Sequence, residues 1–338
     1  MTTRNELEAL LEAAPLDDAG YLIFGDWLQA AGDPRGELIA LDHGASRAPP
    51  HERPRWAQRR RELIARHPEL APPEHEDITY RWHLGFVRTL VVRARSVLQL
   101  AAVLHHPALR FTSAIELDAY RSLQDQALAE IVANAPRSLR SLTIARESYL
   151  WREDEVLELD ATLAAIPQLE HLSAATPIRL TQPVSLRSLE LFGIGSAVFD
   201  WLPAVQLAQL ASLALHAGTR NPEIRWSELK KLVDAPLPAL VSLAVHHASR
   251  GDEIVAGLAQ APLLRRLRVL KLWNAGLTAA GARHITPEAF GHLALLDLSD
   301  AGLDREVARE LSRVCGEVRT IPELITSSLR RPPSSAPT

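Results

Sequence analysis

From residue 84 onward the apolar positions follow one phrase, Leu-x-x-Leu-x-Leu. It stands as LRSLTI from Leu139, LEHLSA from Leu169, LRSLEL from Leu186 and LASLAL from Leu210. It returns as LVSLAV from Leu240, LRVLKL from Leu267 and LALLDL from Leu293. A weaker copy, VRTLVV, starts at Val87, and TSAIEL from Thr112 keeps only the end. The middle apolar residues fall at 90, 115, 142, 172, 189, 213, 243, 270 and 296, in steps of 25, 27, 30, 17, 24, 30, 27 and 26. Alternation over so few residues predicts a short strand, and stretches such as QDQALAEIVANAP and GDEIVAGLAQAP predict helices between strands. One strand–turn–helix unit cannot bury its apolar side alone, so neighbours must stack and share a core. The 17-residue step, through TPIRLTQPVSL, leaves no room for a full helix.

The first eighty residues carry a different pattern. Leu7, Leu10 and Leu11 mark a helix by their three-to-four spacing. Asp17 and Asp18 favour a second helix start, on which Tyr21, Phe24, Trp27 and Leu28 form one stripe. Gly32 can adopt the left-handed conformation that ends it. Asp33 then caps a third helix and Pro34 suits its first turn, with Leu38 and Leu41 on the apolar face. Gly-Asp-Pro is thus a helix stop and restart, which accounts for Asp26 and Asp33 without catalysis. From Arg53 to Arg66 a fourth helix holds six Arg and one Glu; one reading makes Arg59, Arg60 and Arg66 a solvated face, and another pairs these arginines with acids of the same domain.

Composition narrows the classes. The chain has 338 residues, 47% apolar and 23% charged, the balance of a soluble globular protein. Its net charge of −4 gives no global pull toward nucleic acid or anionic membrane. One cysteine, Cys315, excludes an intrachain disulfide. The N-terminal stretch lacks the flanks of a signal peptide, and no run of about 18 apolar residues exists. A cytoplasmic protein with no cofactor is the expectation.

Two resemblances follow from the quoted motifs. YLIFGDWLQAAGDPRGELIAL, through Asp26, Trp27, Leu28, Gly32, Asp33, Pro34, Glu37, Leu38, Ile39 and Leu41, resembles the signature of the bacterial repeat-companion domain. The segment WHLGFVRTLVV from Trp82 fits the same family, which implies an accompanying repeat array and no established activity. LRRLRVLKLWNAGLTAAGARHI, with Asn274, Leu277 and Gly281, resembles a ribonuclease-inhibitor-like leucine-rich repeat. The ladder Asn of that family stands only at Asn274. Asp300 substitutes in the last unit, and elsewhere the position holds Ala119, Arg146, Thr176, Gly193, Ala217 and His247. The expected fold class is therefore α/β. It is a leucine-rich repeat solenoid, parallel strands concave and helices convex, with an N-terminal all-α cap domain. The expected boundaries are 1–80 for the helical companion domain, 81–325 for about nine irregular repeats with a C-terminal cap, and 326–338 for a disordered tail.

The sequence contains no Gly-rich phosphate loop, Cys-x-x-Cys, His-Glu-x-x-His or Gly-x-Ser-x-Gly. Strand register becomes the guide to function. Residues next to the middle leucines face away from the core by the two-residue period. One outward column reads Val91, Glu116, Thr143, Ser173, Glu190, Ala214, Ala244, Lys271, Asp297. The next reads Arg93, Asp118, Ala145, Ala175, Phe192, His216, His246, Trp273, Ser299. Phe192, His216, His246 and Trp273 should lie side by side, solvent-accessible, over about 15 Å at sheet spacing. Glu190 and Lys271 should frame the small Ala214 and Ala244. Aromatics dominate interface energetics, so these six residues are the expected binding patch for a protein or peptide partner. Two other readings stand beside it. One is an enzyme or enzyme subunit using the His216–His246 pair. The other is a nucleic-acid binder using the Arg53–Arg66 helix. A metal site from His216, His246 and His247 is not expected, because His247 should point away.

Overall fold

The computed structural model describes residues 3–94, 100–145, 156–217 and 224–320. The stretch 326–338, expected as a disordered tail, and Arg146 lie outside the described residues. The chain is mixed α/β, with a mostly parallel set of strands and, among the described residues, thirteen α-helices. It divides into two compact units: residues 1–191 with 205–210, and residues 192–204 with 211–338.

The first unit opens with four helices, α1 Arg4–Ala13, α2 Asp18–Ala30, α3 Pro34–Arg47 and α4 Arg53–Arg66. The caps are the ones the sequence supplies. Thr3 and Glu6 form a reciprocal capping box on α1. The Asp17 carboxylate accepts from the Ala19 N–H, and Asp33 from the Arg35 N–H. Gly32, at φ 75°, makes the left-handed stop. One assignment changes. Leu10, expected on the apolar face of α1, is 62% exposed, while Glu8 is 3% exposed. Glu8 can be buried because Arg4 and Arg110 both reach its carboxylate, at 2.8 and 2.7 Å.

Strand β1, Ile78–His83, crosses the boundary expected at residue 80 and pairs antiparallel with β2, Phe86–Ala94. The turn between them is Leu84-Gly85, with φ of 43° and 77°, the positive pair that a tight hairpin requires. Leu84 is buried, which offsets its backbone strain. Phe86 shares one core with Leu7, Leu11, Tyr21, Phe24, Leu28, Ile39 and Phe111. Trp82 packs on a second cluster of Leu38, Leu41, Leu63 and Leu70. Helices and first strands are thus built on common apolar residues. From β2 the strands run parallel through β3 Ala114–Ala119, β4 Ser141–Ala145, β6 His171–Ala174 and β8 Ser188–Ile194. The expected register is met: Leu90, Ile115, Leu142, Leu172 and Leu189 are successive partners, each at most 1% exposed. Each such burial is worth about 1.5–3 kcal/mol.

Helices α5 Leu100–Leu104, α6 Arg121–Asn134 and α7 Asp160–Ala165 lie between these strands. The short step between β6 and β8 holds no helix. It holds β7, Ile178–Arg179, which pairs parallel with β5, Leu157–Glu158, in a separate two-stranded sheet. The Asp160 carboxylate ties down the following chain through the Thr181 N–H and hydroxyl and the Gln182 N–H, at 2.9, 2.5 and 3.2 Å.

The second unit continues the same logic. Its parallel strands are β9 Ser212–Ala217, β10 Ser242–His246, β11 Val269–Trp273, β12 Leu295–Asp297 and β13 Val318–Arg319. Leu213, Leu243, Leu270 and Leu296 are successive partners and fully buried. Helices α8 Val198–Trp201, α9 Trp226–Val233, α10 Gly251–Gln260, α11 Ala279–Ala282, α12 Pro287–Phe290 and α13 Arg305–Leu311 complete it. Gly257 in α10 is required by its neighbour: a Cβ there would sit 2.1–2.5 Å from the Trp226 ring.

Candidate functional site

The outward column of the second unit is built by parallel register. Alternation sends Leu213, Leu215, Leu243, Leu270 and Leu272 to the core and the residues between them to the other face. His216, His246 and Trp273 are register partners on β9, β10 and β11. Phe192, in the part of β8 that belongs to the second unit, joins the row. The Phe192 and His216 rings stack with centroids 4.0 Å apart and planes within 16°. His216 and His246 stack at 4.3 Å and 10°. Trp273 closes the row edge-on to His246, at 5.5 Å and 79°.

One expectation is corrected. His246 is not solvent-accessible but 8% exposed. Parallel strands about 4.8 Å apart bring flat rings into contact, so the third ring is covered from both sides. Trp273 stays 39% exposed and is the open end of the row. Its indole N–H donates to Asp300 Oδ2 at 2.9 Å, and the His247 ring lies 6.3 Å away at a 36° tilt. The row is therefore preorganised, with little rotamer freedom left to lose on contact.

Asp300 and His247 are neighbours of Trp273 that register alone does not identify. Both have left-handed backbones, φ 55° and 59°, as do Asn274 after β11 and Gly193 near the end of β8. The turn throws the next side chain sideways along the strand ends. Asn274 and His247 side chains meet at 3.0 Å in consequence. The signal was present as the ladder position, but a His or Asp there had been read only as a departure from Asn.

The remaining two patch residues each precede a ring of the row by two positions on its strand. Lys271 is the register partner of Ala244, and it makes no ion pair among the described residues. Glu190 belongs to the first unit, where it accepts from the Ser173 hydroxyl at 3.1 Å. The two histidines face one another plane to plane. Imidazole donors and lone pairs lie in the ring plane, so this stack gives no proton relay between them. Among the described residues no group of three or more His, Cys, Asp or Glu is placed to hold a metal ion.

The arginine helix divides between the two readings. Arg60 turns inward, not outward: its Nε donates to Asp42 Oδ1 at 3.0 Å and its guanidinium lies 4.5 Å from the Trp82 ring. Arg59 lies over Trp56 at 5.4 Å, and Arg66 is exposed.

No family model and no curated protein matches the chain. Among solved structures it is similar to a Bacteroides fragilis protein, with 17% identity over 80% of this chain and 85% of that one and a TM-score of 0.57. That likeness is one of fold. A looser one, to the yeast Rad7 and Elc1 complex, has 13% identity over 69% of this chain and 68% of that one, with a TM-score of 0.40. No helix among the described residues is long and apolar enough to cross a membrane.

Proposed function

We propose that this chain is a non-catalytic scaffold that binds a protein or peptide on the strand face opposite its leucine core. The observation that supports this reading most is the ring row of Phe192, His216, His246 and Trp273. Four consecutive strands spend their outward positions on flat rings, and the exposed end, Trp273, is held by Asp300. Aromatic anchors in a fixed orientation suit a recognition surface. The plane-to-plane histidines, which form no relay, favour binding over acid–base chemistry. The arginine helix supports nucleic-acid binding less well, because Arg60 is committed to Asp42 and Trp82.

In this reading the array is a leucine-rich repeat solenoid with the ring row on its concave side, and the helices of residues 1–80 are a repeat-companion domain. A cytoplasmic location is part of the same proposal. The test is affinity capture from an extract of the native cell, comparing the intact protein with Trp273→Ala and Phe192→Ala. A partner bound directly by the purified chain should lose about 2 kcal/mol with Trp273→Ala, the scale of a central anchor. The melting temperature should hardly change, since the ring lies outside the core. Partner affinity unchanged by both substitutions would overturn the assignment.

A further inference from the structure

The first unit contains a cleft of about 660 Å³, a size typical of small-molecule sites. Its floor is apolar. Phe86 and Phe111 meet edge to face at 4.7 Å, with Phe24, Leu28 and Leu104 beside them. Its walls are basic. Arg4, Arg35, Arg110 and Arg137 line it against only two carboxylates, Glu8 and Glu12, giving 4 − 2 = +2 in formal charge.

The carboxylates are already committed. Glu8 is held by Arg4 and Arg110, and Arg110 also reaches Glu12 at 3.6 Å. Arg35 and Arg137 have no carboxylate within ion-pair distance among the described residues. Arg35 is the more telling of the two. It is 7% exposed, donates to the Gly85 and Leu70 carbonyls at 2.7 and 3.2 Å, and lies 5.0 Å from the Phe86 ring. Carbonyls satisfy N–H groups but do not neutralise charge, and burying a cation helped only by the fields of Asp33 and Glu69, with no ion pair, is costly. Burial lowers its pKa to about 10, in keeping with that cost. His106, also lining the cleft, is lowered by burial and then by the charge of Arg35. It adds no competing anion.

We propose that this cleft binds a small organic anion, its apolar body on Phe86 and Phe111 and its acidic group facing Arg35 and Arg137. The acidic group is a carboxylate or a phosphate ester; both offer the paired oxygens that a guanidinium fork accepts. The site is separate from the ring row, so neither reading depends on the other.

The experiment is a fluorescence titration of the full chain with 8-anilinonaphthalene-1-sulfonate, an aromatic anion. Saturable one-to-one binding is expected, with competition by benzoate or phenyl phosphate; the better competitor identifies the acidic group. N-phenyl-1-naphthylamine, the same rings without the sulfonate, should bind at least tenfold more weakly. Arg137→Ala, at an exposed position, should weaken the sulfonate about fivefold with an unchanged melting curve. Arg137→Lys should restore part of the loss. Arg35→Met should weaken it further, with near-ultraviolet circular dichroism confirming the fold. Trp273→Ala should leave the titration unchanged. Non-saturable binding, equal affinity for the uncharged probe, or indifference to Arg137→Ala would overturn the proposal, as would loss of binding in Trp273→Ala.

Discussion

Asp42 joins three elements, and its removal has a calculable cost. Its Oδ2 accepts from the Gly85 N–H in the β1–β2 turn at 2.9 Å, and its Oδ1 accepts from Arg60 on α4 at 3.0 Å. Both charged side chains are mostly covered, 14% exposed for Asp42 and 25% for Arg60. In Asp42→Ala the Gly85 N–H loses a charged acceptor, worth about 1.5–3 kcal/mol. The ion pair adds less, about 0.5–1 kcal/mol, because Arg60 is partly hydrated and keeps the Trp82 ring. The sum is about 3 kcal/mol, or about 6–12 °C of melting temperature for a unit near 200 residues. Asp42→Asn keeps a carbonyl oxygen for the Gly85 N–H and should cost only about 1 kcal/mol. Thermal melting followed by circular dichroism and calorimetry reads both. The cycle with Arg60→Ala should show a coupling of about 1 kcal/mol, since the two residues share a bond. A melting temperature within a degree of the parent for Asp42→Ala would refute the reasoning. So would equal losses for Ala and Asn, because the hydrogen bond and not the volume carries the argument.

Gly257→Ala should destabilise the second unit by about 1–3 kcal/mol, because the added methyl meets the Trp226 ring; combining it with Trp226→Ala should give less than the sum, and additivity would argue against that contact. Removing residues 1–76 should leave Phe86 and Phe111 without Leu7, Leu11, Phe24 and Ile39, and the remaining fragment should aggregate; a soluble fragment that melts cooperatively would contradict a shared core. The pH dependence of the Asp160 tie has a defined sign. Burial alone would raise this carboxyl, but the Thr181 and Gln182 hydrogen bonds outweigh it and hold it below the ordinary value. A depressed acid contributes stability above its unfolded pKa of about 4 and loses it as pH falls through the folded value. Asp160→Asn should therefore be less stable than the parent at pH 7, and the gap should close as pH falls through the depressed folded value; a difference constant from neutral to strongly acid pH would count against the tie.

What the sequence disclosed, and what it hid, divides along one physical line. Properties that repeat with a fixed period were legible. The nine middle residues from Leu90 to Leu296 all lie in strands, in register where their partners are recorded, since a one-residue slip would turn every leucine outward. The ring row follows from the same count. Caps at Asp17 and Asp33 were legible because they need only a local carboxylate. Contacts between residues distant in the chain were not. Nothing in LEALL marks Glu8 as buried, because its burial depends on Arg110, about a hundred residues on. Arg60 looked outward on a helical wheel, and only Asp42 and Trp82, brought together by the hairpin, turn it in. His246 counted correctly to its face, but its exposure depends on two neighbouring rings whose stacking no single strand encodes.

The left-handed residues at the strand ends tie these two kinds of information together. Gly193, His247, Asn274 and Asp300 share a conformation although they share no chemistry. At these four positions the backbone takes positive φ, whereas Ala119, Thr176 and Ala217 at the same repeat position do not, and Gly, Asn and Asp enter that region at low cost. His247 is the costlier choice, and its side chain is held by Asn274 at 3.0 Å. A sequence pattern that demands Asn sees a degenerate repeat here. The left-handed turn recurs from Gly193 onward at four of these positions. The same substitutions aim the neighbourhood of the ring row: Asp300 holds the indole of Trp273, and His247 leans against it. The side chains at these positions, Asp300 bonded to the indole and His247 beside it, are thus what give the open end of the row its own chemistry.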